Sequence, residues 1–215
     1  MFVLAGEAPQ TSSSLRVEDG VDAGLQGFID LLSPNPARVI NRCFDVVAWN
    51  RAEDALLGPA LGGGLGRIPR ARRNLLYMVF IEPLAREMLP DWEREARWLT
   101  GLLRAESAHE LGSPRFIEVV NTLERSSPEF REWWTSHDVQ KFTPSTRRFN
   151  HPAVGVLSLN YVRLAVEGDE GRSIIAHFAL PGSSEEELLG RLLAAAPDDV
   201  AASVAADPEP EGSEA

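Results

Sequence analysis

What most constrains this chain is the order in which two periodicities follow one another. β-forming runs occupy residues 38–49 and 144–180, and the residues between them repeat mainly at helical spacing. In the C-terminal run Leu157, Leu159 and Tyr161 point one way and Ser158 and Asn160 the other, as a pleated strand requires. Near Val162 the apolar residues change face, which needs either a bulge or a sheet covered on both sides. Gly168-Asp169-Glu170-Gly171 reads as a hairpin turn into residues 172–180, with Ile174, Ala176, Phe178 and Leu180 facing the core. Upstream, Val39-Ile40 and the run Phe44 to Trp49 form a shorter hairpin around Asn41-Arg42. Two hairpins flanking helices predict an α+β fold, an antiparallel sheet wrapped by several helices. The space between sheet and helices is where a small-molecule cavity forms in such a domain.

The helical segments carry their own boundaries. Leu25, Phe28, Ile29 and Leu32 define one, halted at Ser33-Pro34-Asn35-Pro36, where proline removes amide donors. Asn50 is placed to cap a helix over residues 51–57, its side-chain oxygen accepting from an orphan amide. Asn74 to Phe80 is an apolar block, and Pro83 suits the first turn of another helix. Asp91 is read as the cap of a long helix whose inner stripe is Trp92, Ala96, Leu99 and Leu103, widened by Trp98 and Leu102. Its outer face sets Glu93 four residues before Arg97, a weak pair. Ser113-Pro114 and Ser127-Pro128 repeat one start signal, the first with Phe116, Val119, Val120 and Leu123 inward, the second with Phe130, Trp133, Trp134 and His137 on one face. A capping box from Ser184 to Glu187 opens a last helix that buries Leu188, Leu189, Leu192 and Leu193. Residues 1–21 read as a linker, 22–195 as one domain, and 196–215 as a disordered acidic tail rich in alanine and proline.

Composition narrows the function. The formal net charge is −11, which phosphate backbones repel, so this chain alone is not expected to bind DNA. The single cysteine, Cys43, allows neither an intrachain disulfide nor a cysteine-based zinc site. No apolar run reaches the roughly 20 residues that span a bilayer. The opening residues lack the basic and apolar regions of a signal peptide, so a cytoplasmic location with no membrane contact is expected.

Few residues suggest chemistry. His137-Asp138 has the composition of an acid–base pair, but adjacent side chains rarely face each other and no activated serine or cysteine accompanies them. A helix-terminal histidine suited to the C-terminal dipole is the better reading. His109, His137, His151 and His177 share no ligand-spaced motif, so no metal or cofactor is expected. Gly62-Gly63-Gly64-Leu65-Gly66 follows no strand and opens no obvious helix; it reads as a loop, not a phosphate cradle. The pairs Arg72-Arg73 and Arg147-Arg148 lie beside apolar stretches, and guanidinium is matched to carboxylate. An arginine at an apolar pocket mouth is what a lipid carboxylate needs, but surface salt bridges with this acidic protein are the simpler account of each pair. On this polarity argument the expected ligand-binding residues are Arg73, Asn74, Tyr77, Trp98, Trp134, Arg148, His151 and Tyr161.

One ordered series of motifs goes further. It comprises residues 38–52, Arg73-Asn74-Leu75-Leu76, Asp91-Trp92, Ser127-Pro128-Glu129-Phe130, Trp134, His137-Asp138-Val139, Arg148-Phe149, His151-Pro152 and residues 155–161. Together these resemble the MmyB-like transcription regulator ligand-binding domain over about residues 22–195. The resemblance implies a PAS-like sheet and cavity, a fatty-acid-like ligand and a homodimer. Its relatives carry an N-terminal helix-turn-helix of the Xre/Cro type. That domain is absent here, and residues 1–7 look like its remnant, so DNA would be reached only through a domain this chain lacks. The expected function is therefore ligand sensing within a bacterial transcription regulator, not catalysis. The alternatives are a stand-alone dimerisation or interaction module that lost its DNA-binding domain, and a hydrolase using His137 or His151.

Overall fold

The computed structural model describes residues 21–110, 112–136, 146–168 and 171–196. The expected linker, most of the acidic tail and the His137-Asp138 pair lie outside them. Five strands form one antiparallel sheet: β1 (Ala37–Ile40), β2 (Val46–Trp49), β3 (Thr146–His151), β4 (Gly155–Ala165) and β5 (Ser173–Phe178). Their order is β2-β1-β5-β4-β3, so the N-terminal hairpin adds to the C-terminal strands through the β1–β5 pairing. Helix α1 (Ala23–Leu31) precedes the sheet, and α2 (Arg51–Leu57), α3 (Leu75–Phe80), α4 (Pro83–Met88), α5 (Trp92–Glu106), α6 (Pro114–Ser126) and α7 (Pro128–Thr135) fill the middle. Helix α8 (Ser184–Ala195) closes the described part of the chain. The α+β expectation holds.

Local chemistry explains the helix starts. Asn50 Oδ1 accepts from the Glu53 and Ala37 amides, while its Nδ2 donates to the Ile29 and Asn35 carbonyls. One buried amide thus caps α2 and ties it to α1 and β1. Asn74 caps α3 and also donates to the Cys43 carbonyl and Asp45. Ser113 and Ser127 cap α6 and α7 as read from the sequence. Two starts differ. Asp91 makes no capping bond, because its carboxylate is held by Arg148. The α8 cap is Ser183, one residue early, and Glu186 reaches back to the Gly182 amide.

The change of face at Val162 is resolved without a bulge. β4 and β5 keep one register from Asn160↔Phe178 to Ala165↔Ser173, and both faces of the sheet are covered. On the back, Ile29 of α1 packs with Ala37, Val39, Ala48, Ile174 and Ala176. On the front, Ile40 and Ile175 join the larger core built by α3, α5, α6 and α7. β5 therefore has no solvent face. Ile174 and Ala176 point to the back as read, but Leu180 lies beyond the strand and is exposed. Its opposite set, Ser173, Ile175 and His177, is buried as well, which hides the alternation that marks a half-exposed strand.

Candidate functional site

Between the front face of the sheet and the helices above it lies a small, partly open cavity of about 50 Å³. Its apolar wall comes from Leu75, Met78 and Val79 of α3, Ala85 and Met88 of α4, and Leu57, Ala60 and Leu61 around the end of α2. Its polar floor comes from the sheet and α5: Arg38, Arg147, His177 and Glu95, with Phe149 between them. Strand alternation sets that floor. On β3 the inward residues are Arg147, Phe149 and His151, and Arg148 faces out.

All the ionised groups on this floor are paired. Arg38 Nη1 meets Glu53 of α2, both with almost no exposure. Arg147 Nε lies 2.9 Å from Glu95 Oε2, and its guanidinium sits 4.1 Å above the Tyr161 ring and 4.6 Å from that of Trp98. Burial pushes the Glu53 carboxyl up against the pull of Arg38, and pulls the Arg147 guanidinium down against the pull of Glu95. His177 is different. It is 1 % exposed, packs edge-on against Phe149 with ring centroids 5.2 Å apart, and neither ring nitrogen has a hydrogen-bond partner among the described residues. Burial, with Arg38 and Arg147 nearby, holds it well below the usual histidine range, so the ring is neutral.

None of the eight residues singled out from the sequence lines this cavity, although two stand directly behind its floor. Trp98 and Tyr161 meet edge-on at 5.5 Å, and the Arg147 guanidinium lies against both rings. Tyr77 is buried in α3 beneath Arg72 and Arg115. Trp134 stacks on Phe130 of the same helix at 5.6 Å. Arg73 donates to the Leu65 and Ile68 carbonyls and covers Trp49, so it holds the loop before α3, while Asn74 is spent on its cap. Arg148 is 52 % exposed and forms a two-pronged pair with Asp91, which holds that carboxyl below its usual range. The arginine over apolar surface is Arg147, its neighbour. His151 accepts from the Ala153 amide, lies 3.1 Å from the Ala55 carbonyl, and borders an open groove on the α4 side.

The glycine loop behaves as a loop. Gly62, Gly63 and Gly64 all take positive φ, and a Cβ on Gly64 would stand 2.9 Å from Asp54 Oδ1. That buried carboxylate accepts from the Leu65 amide and Trp49 Nε1, pinning the loop to α2. No cluster of three or more metal-ligating side chains occurs among the described residues, nor any helix long and apolar enough to cross a membrane.

Two comparisons with known proteins bear on this site. The family model described as the MmyB-like transcription regulator ligand binding domain matches residues 21–193. No curated protein matches the chain.

Proposed function

The chain belongs to the MmyB-like transcription regulator ligand binding domain family, and from that premise we propose that it senses an apolar, fatty-acid-like molecule in the cavity between sheet and helices. The family is a regulatory ligand-binding domain, not a family of enzymes. The observation that carries the reading is the cavity itself, apolar above and polar below. The strand order β2-β1-β5-β4-β3 supports a PAS-like sensor.

Size adds a mechanism. Small-molecule pockets run to roughly 300–1,000 Å³, whereas this cavity is about 50 Å³. A lipid chain therefore enters only if α3 and α4 move off the sheet. Met78 and Met88, unbranched and adaptable, stand where that wall must give. A guest that fits only the open form shifts the protein toward it, and this difference in affinity is what a sensor needs. Trp98 and Tyr161 would act on the ligand through Arg147, and Arg73 through the loop that leads into α3. Arg148 and His151 would contact a ligand only at the outer surface.

The remaining parts of the reading are a cytoplasmic homodimer that reaches DNA through a helix-turn-helix outside this chain. Phe28 and Leu31 on the outer side of α1, 45 % and 83 % exposed, support a protein contact there. The same side chains suit the alternative of an interaction module. Native mass spectrometry of the purified chain, followed by denaturing extraction and titration of delipidated protein with dodecanoate, tests the reading. A stoichiometric lipid or saturable binding is expected. An empty protein that binds no aliphatic probe overturns it and leaves the interaction module.

A further inference from the structure

We propose that the cavity accepts the polar head of its ligand in an electrically neutral form, seated on His177 and the Nε–H of Arg38: an alcohol, an amide, or a carboxylic acid that brings its proton. The inference rests on the reading of this cavity as the ligand site.

The cavity floor is balanced in charge and short of hydrogen bonds. The charged groups around the cavity floor are Arg38 on β1, Glu53 on α2, Arg147 on β3 and Glu95 on α5, with Asp54 next to Glu53 and the solvent-exposed Arg94 3.4 Å from the far oxygen of Glu95. Tyr161 on β4 adds a phenol, and α3 and α4 contribute only apolar side chains to the lining. The two buried arginines each hold a buried carboxylate, and Asp54 is held by the Leu65 amide and Trp49 Nε1, so no buried cation on the floor is left over. An incoming carboxylate would be an additional, uncompensated negative charge under an apolar roof, the arrangement buried charges avoid. What the floor lacks is hydrogen bonds. Both nitrogens of His177 and Nε of Arg38 are buried with no partner among the described residues. A neutral imidazole offers one donor and one acceptor. A hydroxyl or protonated carboxyl can donate to the accepting nitrogen and accept from the Arg38 Nε–H, which satisfies groups that are costly to leave unmade.

If the ligand is an acid, one proton enters with it. It rests either on the ligand or on Glu53, an anion paired with Arg38 before binding whose carboxyl burial pushes up. In both cases binding takes up a proton, so affinity for the acid falls as pH rises. For an alcohol it does not.

The experiment uses the delipidated full chain, with 1-dodecanol and dodecanoate as probes. Calorimetry in buffers of different ionisation enthalpy counts the protons taken up, and affinity is read between about pH 6 and about pH 8. The expected result is flat affinity for dodecanol, and for dodecanoate uptake of one proton with about tenfold weaker binding per pH unit. His177→Phe keeps an aromatic ring against Phe149 and is expected to weaken dodecanol about tenfold. Dodecanoate binding without proton uptake and at constant affinity overturns the proposal, as does unchanged dodecanol affinity in a folded His177→Phe protein. The proton count is read on the unaltered chain and so does not depend on that variant folding. If neither probe binds, the ligand reading of the cavity falls and this inference falls with it.

Discussion

His177 is a neutral imidazole in a place that excludes its charged form, and this makes the fold sensitive to acid. Its folded pKa lies well below the usual value of about 6.5, so on acidification the unfolded chain binds a proton that the native chain refuses. Its contribution is complete above about pH 6.5 and is lost as pH falls below it, by up to about 1.4 kcal/mol per unit. His151 shifts in the same direction, through burial opposed by its contact with the Ala55 carbonyl. Urea unfolding at descending pH should therefore show a shallower loss of stability in His177→Phe than in the unaltered protein. Equal slopes would mean that His177 is not the refusing group. Nothing in the local sequence announces this histidine, because Ile174, Ala176 and Phe178 are the obvious inward set. A strand covered on both faces carries no alternation to read.

Among the elements, β3 shows what alternation does deliver. Once Phe149 is inward, Arg147 and His151 must be inward and Arg148 outward. That choice was available in the sequence from Phe149 alone, whereas the partner carboxylates were not. Glu95 lies on α5, where Glu93, Arg94 and Arg97 look equally like a solvated face, and only Glu95 is buried beside the sheet. The two arginines should therefore differ sharply. Arg148→Ala should leave the urea midpoint unchanged, since the pair with Asp91 is at the surface. Arg147→Met should destabilise the fold, by up to about 3–5 kcal/mol, because it leaves Glu95 with only the exposed Arg94 at 3.4 Å, and adding Glu95→Leu should restore most of it. The helix boundaries were far more legible. Asn50, Ser113 and Ser127 each cap the helix that they were read to open, whereas Asn74, read as part of an apolar block and as a ligand contact, is a cap only the structure shows. Asp91 was misread because a carboxylate can serve a cap or an ion pair, and only the fold brings Arg148 to it.

At the scale of the molecule, the order of hairpin, helices and strands was enough to give the α+β class, but not the size of the cavity, which depends on how side chains from distant elements meet. If a guest binds an opened form of this small cavity, as proposed, the closed and opened forms should differ in stability when ligand is present. At a free concentration of 100 times Kd, a ligand specific to the folded chain adds about 2.7 kcal/mol, or roughly 5–10 °C in the unfolding midpoint. Differential scanning fluorimetry with dodecanol reads this directly, and no upward shift at saturation would contradict a folded-state site. One further consequence lies in the sheet. It is a partition a single residue thick, with the cavity on one side and α1 on the other, and along β5 the neighbours Ile175 and Ile174 belong to opposite rooms. Close-packed interiors transmit displacement, so such a partition acts as a diaphragm: amide exchange in α1 should change when a guest arrives, although no residue of α1 lines the cavity it enters.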